Sequence, residues 1–219
     1  MAVESFGTER EDIQSNRFQK LKMKTDDEIR AGIVFFDEEG KKMFLGAKVH
    51  TGKDMKTFIC KSTKEKKEIC CTHVYSANAP RYHIGCVLVT YVLGKDSNGK
   101  LKLKEFDCIP WIFWEKTYQK ITSADKEFPI ISHDVKLKCT NGEFQTIDVQ
   151  SCNNSIWLSS EDLKKKVLEK AKPLYESISK NLGMDASVSE IKEILGIDVE
   201  GADDAATDVD LGSVIETIA

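Results

Sequence analysis

Two Asn-Gly dipeptides, Asn98-Gly99 and Asn141-Gly142, each separate two runs of apolar and polar residues, and no other feature of the chain constrains its fold as strongly. Asn-Gly favours the tight turn whose backbone twist matches that of two antiparallel strands, so each dipeptide marks a hairpin. The first joins residues 84–93 to 101–109 and the second joins 135–139 to 144–149. Upstream, strand signals cover 18–23, 29–36 and 43–50, and residues 57–60 face 69–75 across the polar loop 61–68. So many short strands with tight turns predict a mainly β fold, an antiparallel barrel of the oligonucleotide-binding (OB) type.

Helical spacing occurs at three places. Residues 115–125 carry Tyr118 and Ile121 between the two hairpins. Residues 159–182 repeat Leu163, Val167, Ala171, Leu174, Ile178 and Leu182 at helical intervals, with Ser159 and Asp162 as the start signal and Pro173 as an expected kink. Ser187 and Glu190 form a capping box for a short helix that Gly196 ends. The expected organisation is an N-terminal arm (1–17), an OB core (18–158), C-terminal helices packed on it (159–197) and a disordered acidic tail (198–219).

A chain of 219 residues with 41% hydrophobic content can bury a sizeable core. Its longest apolar stretch, 84–93, is far short of the roughly 20 residues a membrane-spanning helix needs. The polar, charged N-terminus does not resemble a secretory signal, and the seven scattered cysteines are not spaced as a disulfide framework. These features predict a protein of the reducing cytoplasm.

Charge is distributed unevenly. Residues 198–219 hold seven acids and no Lys or Arg; the whole chain is −4, so residues 1–197 are left at +3. Nine lysines between Lys41 and Lys67 face only Asp54 and Glu65. A basic stripe joined to an acidic tail is the charge plan of a polyanion-binding protein that carries its own anionic competitor. Rings are interleaved with these cations. Phe44, Phe58, Tyr75, Tyr82, Tyr91 and Trp111 accompany Lys41, Lys42, Lys48, Lys53, Lys56 and Arg81, and strand alternation places Lys102, Lys104 and Phe106 on one face. Stacking rings set among lysines are what single-stranded nucleic acid requires. In the tail, Leu211, Val214, Ile215 and Ile218 fall at helical spacing and predict a partner-docking stripe.

Within the basic stripe, His50, Cys60, Cys70 and His73 are candidate zinc ligands, with Cys71 a rival. The tight Cys-x2-4-Cys pair of zinc knuckles is absent.

Several segments together resemble the single-stranded DNA-binding proteins that tailed bacteriophages use in replication. These are Phe18-Gln-Lys-Leu-Lys-Met-Lys with Glu28-Ile-Arg, the His50 to His73 insertion, Val87-Leu-Val-Thr-Tyr before a Lys-rich hairpin, Trp111-Ile-Phe-Trp-Glu-Lys-Thr-Tyr, and Asp134-Val-Lys-Leu-Lys. The resemblance implies an OB core, cooperative and sequence-tolerant coating of single strands, self-association along the strand, and recruitment of replication or transcription proteins by the tail. Some members of that family hold zinc in the insertion. No phosphate-cradling glycine loop, serine nucleophile motif or, in the body of the chain, carboxylate cluster at metal-binding spacing is present, and His83 and His133 are isolated, so the expected role is non-enzymatic. The competing expectation is a protein-interaction module, a phage transcription accessory that docks a polymerase through the barrel and tail.

Overall fold

The computed structural model describes residues 20–62, 70–97, 99, 101–197 and 215–218. In chain order these form β1 (Glu28–Ile33), β2 (Phe44–Thr51), β3 (Thr57–Ile59), α1 (Cys71–Val74), β4 (Arg81–Lys95), β5 (Leu101–Trp114), α2 (Glu115–Glu127), β6 (His133–Asn141), β7 (Thr146–Asn154), α3 (Glu161–Ser179), α4 (Val188–Leu195) and β8 (Ile215–Ile218).

The β4–β5 hairpin is the spine, paired from His83↔Trp114 to Lys95↔Leu101. The other edge of β4 is shared: β2 pairs with its first part (Leu45↔Gly85 to Val49↔Arg81) and β1 with its middle (Ala31↔Thr90 to Ile33↔Leu88). β1 continues the sheet to β6 and β7. All strand–strand pairings described are antiparallel, along the path β3-β2-β4-β1-β6-β7 with β5 on β4 and β8 on β2. Among the described strands β3 and β7 end this path without meeting, so the sheet is open and not the closed barrel expected from the sequence.

Residues 83–89 are buried without alternation because both faces of β4 are covered. A methyl group on Gly85 would press into Ile178 of α3, which therefore packs against that face. On the other face Phe44 meets Phe113 and Tyr118, the latter from α2, both edge-on. Val167, Ala171 and Ile178 form the buried stripe of α3, and burying one such aliphatic side chain contributes about 1.5–3 kcal/mol. Ser160, not Ser159, caps α3 by accepting from the Leu163 N–H, and the helix runs through Pro173. The Ser187–Glu190 capping box of α4 forms as expected, and Gly196 ends it at φ 71°.

Two expected strands are absent among the described residues. Residues 20–23 run without regular structure, Met23 being buried and the Leu21 N–H donating to the Pro110 carbonyl. The segment expected to pair with 57–60 instead forms the helical turn α1, and β3 takes β2 as its partner. Phe58, Cys71, Ala186, Ile191 and Ile194 make a small second core that holds β3, α1 and α4 together.

Candidate metal centre and basic ledge

Two candidate features lie at the β2–β3 hairpin. His50, next to the end of β2, pairs with Phe58 across the hairpin, and the two rings stack with centroids 5.3 Å apart. Cys60 follows β3, and its N–H donates to the Lys48 carbonyl. Cys70 sits at the N-cap of α1. The three ligand atoms lie within 4.8 Å of one another and all three residues are buried. Cys70 Sγ is 3.6 Å from both His50 Nε2 and Cys60 Sγ. The His50 Nδ1 lies 2.9 Å from the Asn78 carbonyl. A carbonyl only accepts, so Nδ1 carries the proton and Nε2 turns its lone pair toward the thiols, the arrangement typical of a metal-ligating histidine. This cluster can hold a metal ion.

The rival ligand Cys71 packs into the small apolar core. Burial, reinforced by Cys60 and Cys70, pushes its thiol up to about 12, so it stays protonated and unreactive. His73 lies in α1, one helical turn beyond Cys70; its side chain falls outside the described residues.

Two residues before His50, and so on the same face of β2, Lys48 extends its ammonium over the ring of Tyr82, 5.6 Å from the centroid. They are cross-strand partners. Arg81 begins β4, and Lys53 and Lys56 flank the hairpin tip; all three are exposed. Neither they nor Lys42 nor Lys48 form an ion pair with a described residue, whereas Lys41 is paired with Glu39. Lys48 and Tyr82 thus form a small basic ledge with one ring in it, and Lys53 and Lys56 lie at the adjoining hairpin tip; Arg81, the neighbour of Tyr82 in β4 and the partner of Val49, starts on the opposite face.

Other expected contacts are not brought to this ledge. Phe44, Phe58 and Trp111 are core residues and present no ring to solvent. Their strands lie under helices or the second core, so apolar packing prevails over surface display. Tyr75 is half-buried against the second core. Tyr91 donates its hydroxyl to Asp134 and belongs to an interior network. Lys102, Lys104 and Phe106 do not share a face. Glu105 pairs with Val92 and Leu103 with Leu93, which leaves Lys104 as an extra residue in β5. This bulge puts Lys102 out of phase with Phe106. Phe106 is half-buried instead, with the Lys170 ammonium 5.8 Å from its centroid.

Sequence reading missed two exposed apolar groups, Trp114 on the face opposite the Lys48–Tyr82 pair and Met55 at the hairpin tip. Trp114 is 38% exposed and stacks on His83, with centroids 4.4 Å apart. Met55 stands exposed at the hairpin tip between Lys53 and Lys56. Its position in Gly52-Lys-Asp-Met-Lys was a legible signal, because an apolar side chain in a charged turn has no core to enter.

In the tail, Leu211 and Val214 lie outside the described residues. Ile215 and Ile218 belong to β8, which pairs with β2 from Phe44↔Ile218 to Ala47↔Ile215, where helical spacing had been the expectation. No helix among the described residues is long and apolar enough to cross a membrane. No family model, curated protein or solved structure matches the chain.

Proposed function

We propose that the protein binds single-stranded nucleic acid, DNA in the first instance, along the ledge of Lys48 and Tyr82 and the adjoining hairpin-tip lysines Lys53 and Lys56. The observation that carries this reading is the Lys48–Tyr82 pair: a cation and a half-buried ring side by side on one strand face, among basic side chains without acidic partners. Lysines displace counterions from phosphates while a ring stacks on any base, which makes binding tolerant of sequence. Trp114 is a second candidate stacking surface. The sequence resemblance to phage replication proteins supports the same reading, and the role is binding rather than catalytic.

The metal we assign to the neighbouring cluster is zinc. Tetrahedral zinc with sulfur at ~2.3 Å and nitrogen at ~2.0–2.1 Å sets S···S near 3.8 Å and S···N near 3.6 Å. The 3.6 Å separations around Cys70 fit this geometry. His50, Cys60 and Cys70 would hold the ion, and the candidate for a fourth ligand, named by the sequence alone, is His73. The ion would supply no chemistry beyond a cross-link between β2, β3 and α1. Its consequence is mechanical, because His50 and Lys48 share one face of β2.

The test is fluorescence anisotropy with a labelled single-stranded oligomer. Affinity is expected to fall as salt rises, with a log–log slope of about 0.7 per phosphate neutralised. Binding that ignores salt, or no binding, removes the nucleic-acid reading. Zinc is tested separately, by metal analysis of the purified protein and of His73→Ala.

A further inference from the structure

The edge of β2 facing away from β4 accepts two strands end to end. β3 occupies it from Val49 to Thr51 and β8 from Phe44 to Ala47. β8 is only four residues long and belongs to the end of the chain. Unlike β3, which a tight hairpin holds in place, β8 reaches its site through a connector of 17 residues, 198–214. The geometry points to β2 as a strand-acceptor site whose second occupant is β8 of another copy of this chain, so that two molecules assemble by exchanging C-terminal strands.

Three observations carry this. First, the acceptor is specific in register but small. Four residue pairs align the backbones, and a strand that short is easily displaced from a sheet edge. Second, the connector is much longer than occupation within one molecule requires. A methyl group on Gly52 would collide with the Ile194 carbonyl, so the end of α4 lies against the β2–β3 turn. From Gly52 back to Ala47 is five strand residues, roughly 16 Å. The connector spans up to roughly 58 Å when extended, enough to reach the same edge of an adjacent copy. Third, the connector holds six acids (Asp198, Glu200, Asp203, Asp204, Asp208, Asp210) and no base, while the acceptor hairpin carries Lys48, Lys53 and Lys56. Charge complementarity thus favours the same docking whether the hairpin is its own or a neighbour's.

Within one molecule the connector presents β8 at an effective concentration in the millimolar range, so exchange is rare in dilute solution and favoured where copies are crowded. Shortening the connector reverses the balance, as with short hinges in strand-swapped dimers. The inference does not depend on nucleic-acid binding, and its test uses none.

Deleting residues 199–213 leaves Asp198 and Val214, whose three chain steps, at most ~11 Å, do not carry Ile215 from the end of α4 to Ala47. Light scattering of this variant is expected to give twice the monomer mass at micromolar concentration. Removal of residues 215–219 in addition returns it to monomer, with unchanged circular dichroism. A second measurement uses the full-length chain. Leu45 and Thr217 are register partners, within the Cα separation a disulfide spans. A mixture of Leu45→Cys and Thr217→Cys proteins, concentrated and oxidised, is expected to yield a disulfide-linked heterodimer that neither protein forms alone. The double variant in one chain checks the register by closing internally when dilute. A monomeric shortened-connector variant, or internal closure of the double variant without any mixed heterodimer, overturns the inference and leaves β8 as an intramolecular strand only.

Discussion

Two buried polar clusters meet the same problem with opposite outcomes. Asp134, fully buried in β6, accepts from the Arg30 Nε at 2.8 Å, the Tyr91 hydroxyl at 2.9 Å and the Ser155 hydroxyl at 2.6 Å. Arg30 spends a further N–H on the Asn154 carbonyl. Every group there finds its complement within the chain, so the network closes on itself and ties β1, β4, β6 and the segment after β7 together. His50, Cys60 and Cys70 are equally buried, yet they turn a nitrogen lone pair and two sulfurs toward one point. Burial of a polar group, even one that is hydrogen-bonded as Cys60 is to Ser62, is therefore uninformative about ligands; the useful sign is that three ligand-type atoms gather within 4.8 Å of one another.

The largest expected effect tests the closed network. Arg30→Met strips the cation from a buried carboxylate and is expected to cost about 3–5 kcal/mol in urea unfolding. The loss should be the same with and without added zinc. A zinc-dependent loss would mean that the two clusters are coupled.

Next comes the open cluster. A strong chelator, or Cys70→Ser, is expected to lower stability by about 2.7 kcal/mol relative to protein in zinc at a hundred times its dissociation constant. The Arg30→Met background should lose the same increment. A melting curve indifferent to zinc and chelator would make the cluster a set of packed thiols and erase the distinction.

On the ledge, Tyr82→Ala is expected to weaken single-strand binding by about 1–3 kcal/mol, as loss of one stacked base does. Lys48→Glu should weaken it and flatten the salt dependence. Phe58→Ala should harm folding instead, since that ring is fully buried. If anisotropy shows Tyr82→Ala binding normally while Trp114→Ala does not, the contact surface lies around Trp114.

The smallest effect concerns a third buried polar group. His83 donates its Nδ1–H to the Leu182 carbonyl, and burial holds its pKa below the ordinary 6.5 while nearby Lys20 adds to the depression. The folded state therefore refuses a proton that the unfolded chain accepts. Stability should be complete above pH 6.5 and decline as pH falls below it, by at most about 1.4 kcal/mol per pH unit. Comparing urea midpoints between pH 7.5 and 5.5 checks this, and His83→Gln should flatten the difference.

The hairpins, α2 and the capping box of α4 were legible because turn chemistry and caps are local. Residues 71–74 were not. Their apolar character fits a strand as well as a helix, and the small core built by Phe58, Ile191 and Ile194 from distant positions decided for α1. Among the candidate metal ligands, spacing named His50, Cys60 and Cys70, and a chain fold was needed to show that they converge. The burial of Phe44, Phe58 and Trp111 and the loss of a shared Lys102–Phe106 face were illegible for a different reason. Alternation cannot reveal a bulge such as the one at Lys104, nor which strands lie under a helix.

The arrangement of β4, with β5 along one edge and both β2 and β1 along the other, also orders the assembly of the molecule. The β4–β5 turn closes a loop of a few residues, an event on the microsecond scale, and needs no other strand to be present. Pairing of β1 with β6 brings together residues roughly a hundred positions apart and carries a much larger loop-closure cost. Ala31 meets Thr90 on one side and Val135 on the other, so β1 becomes useful only after β4 exists as a template. The hairpin is thus the expected folding nucleus. Substitutions in its Lys95–Leu101 turn should slow refolding, while those at the β1–β6 seam should chiefly hasten unfolding.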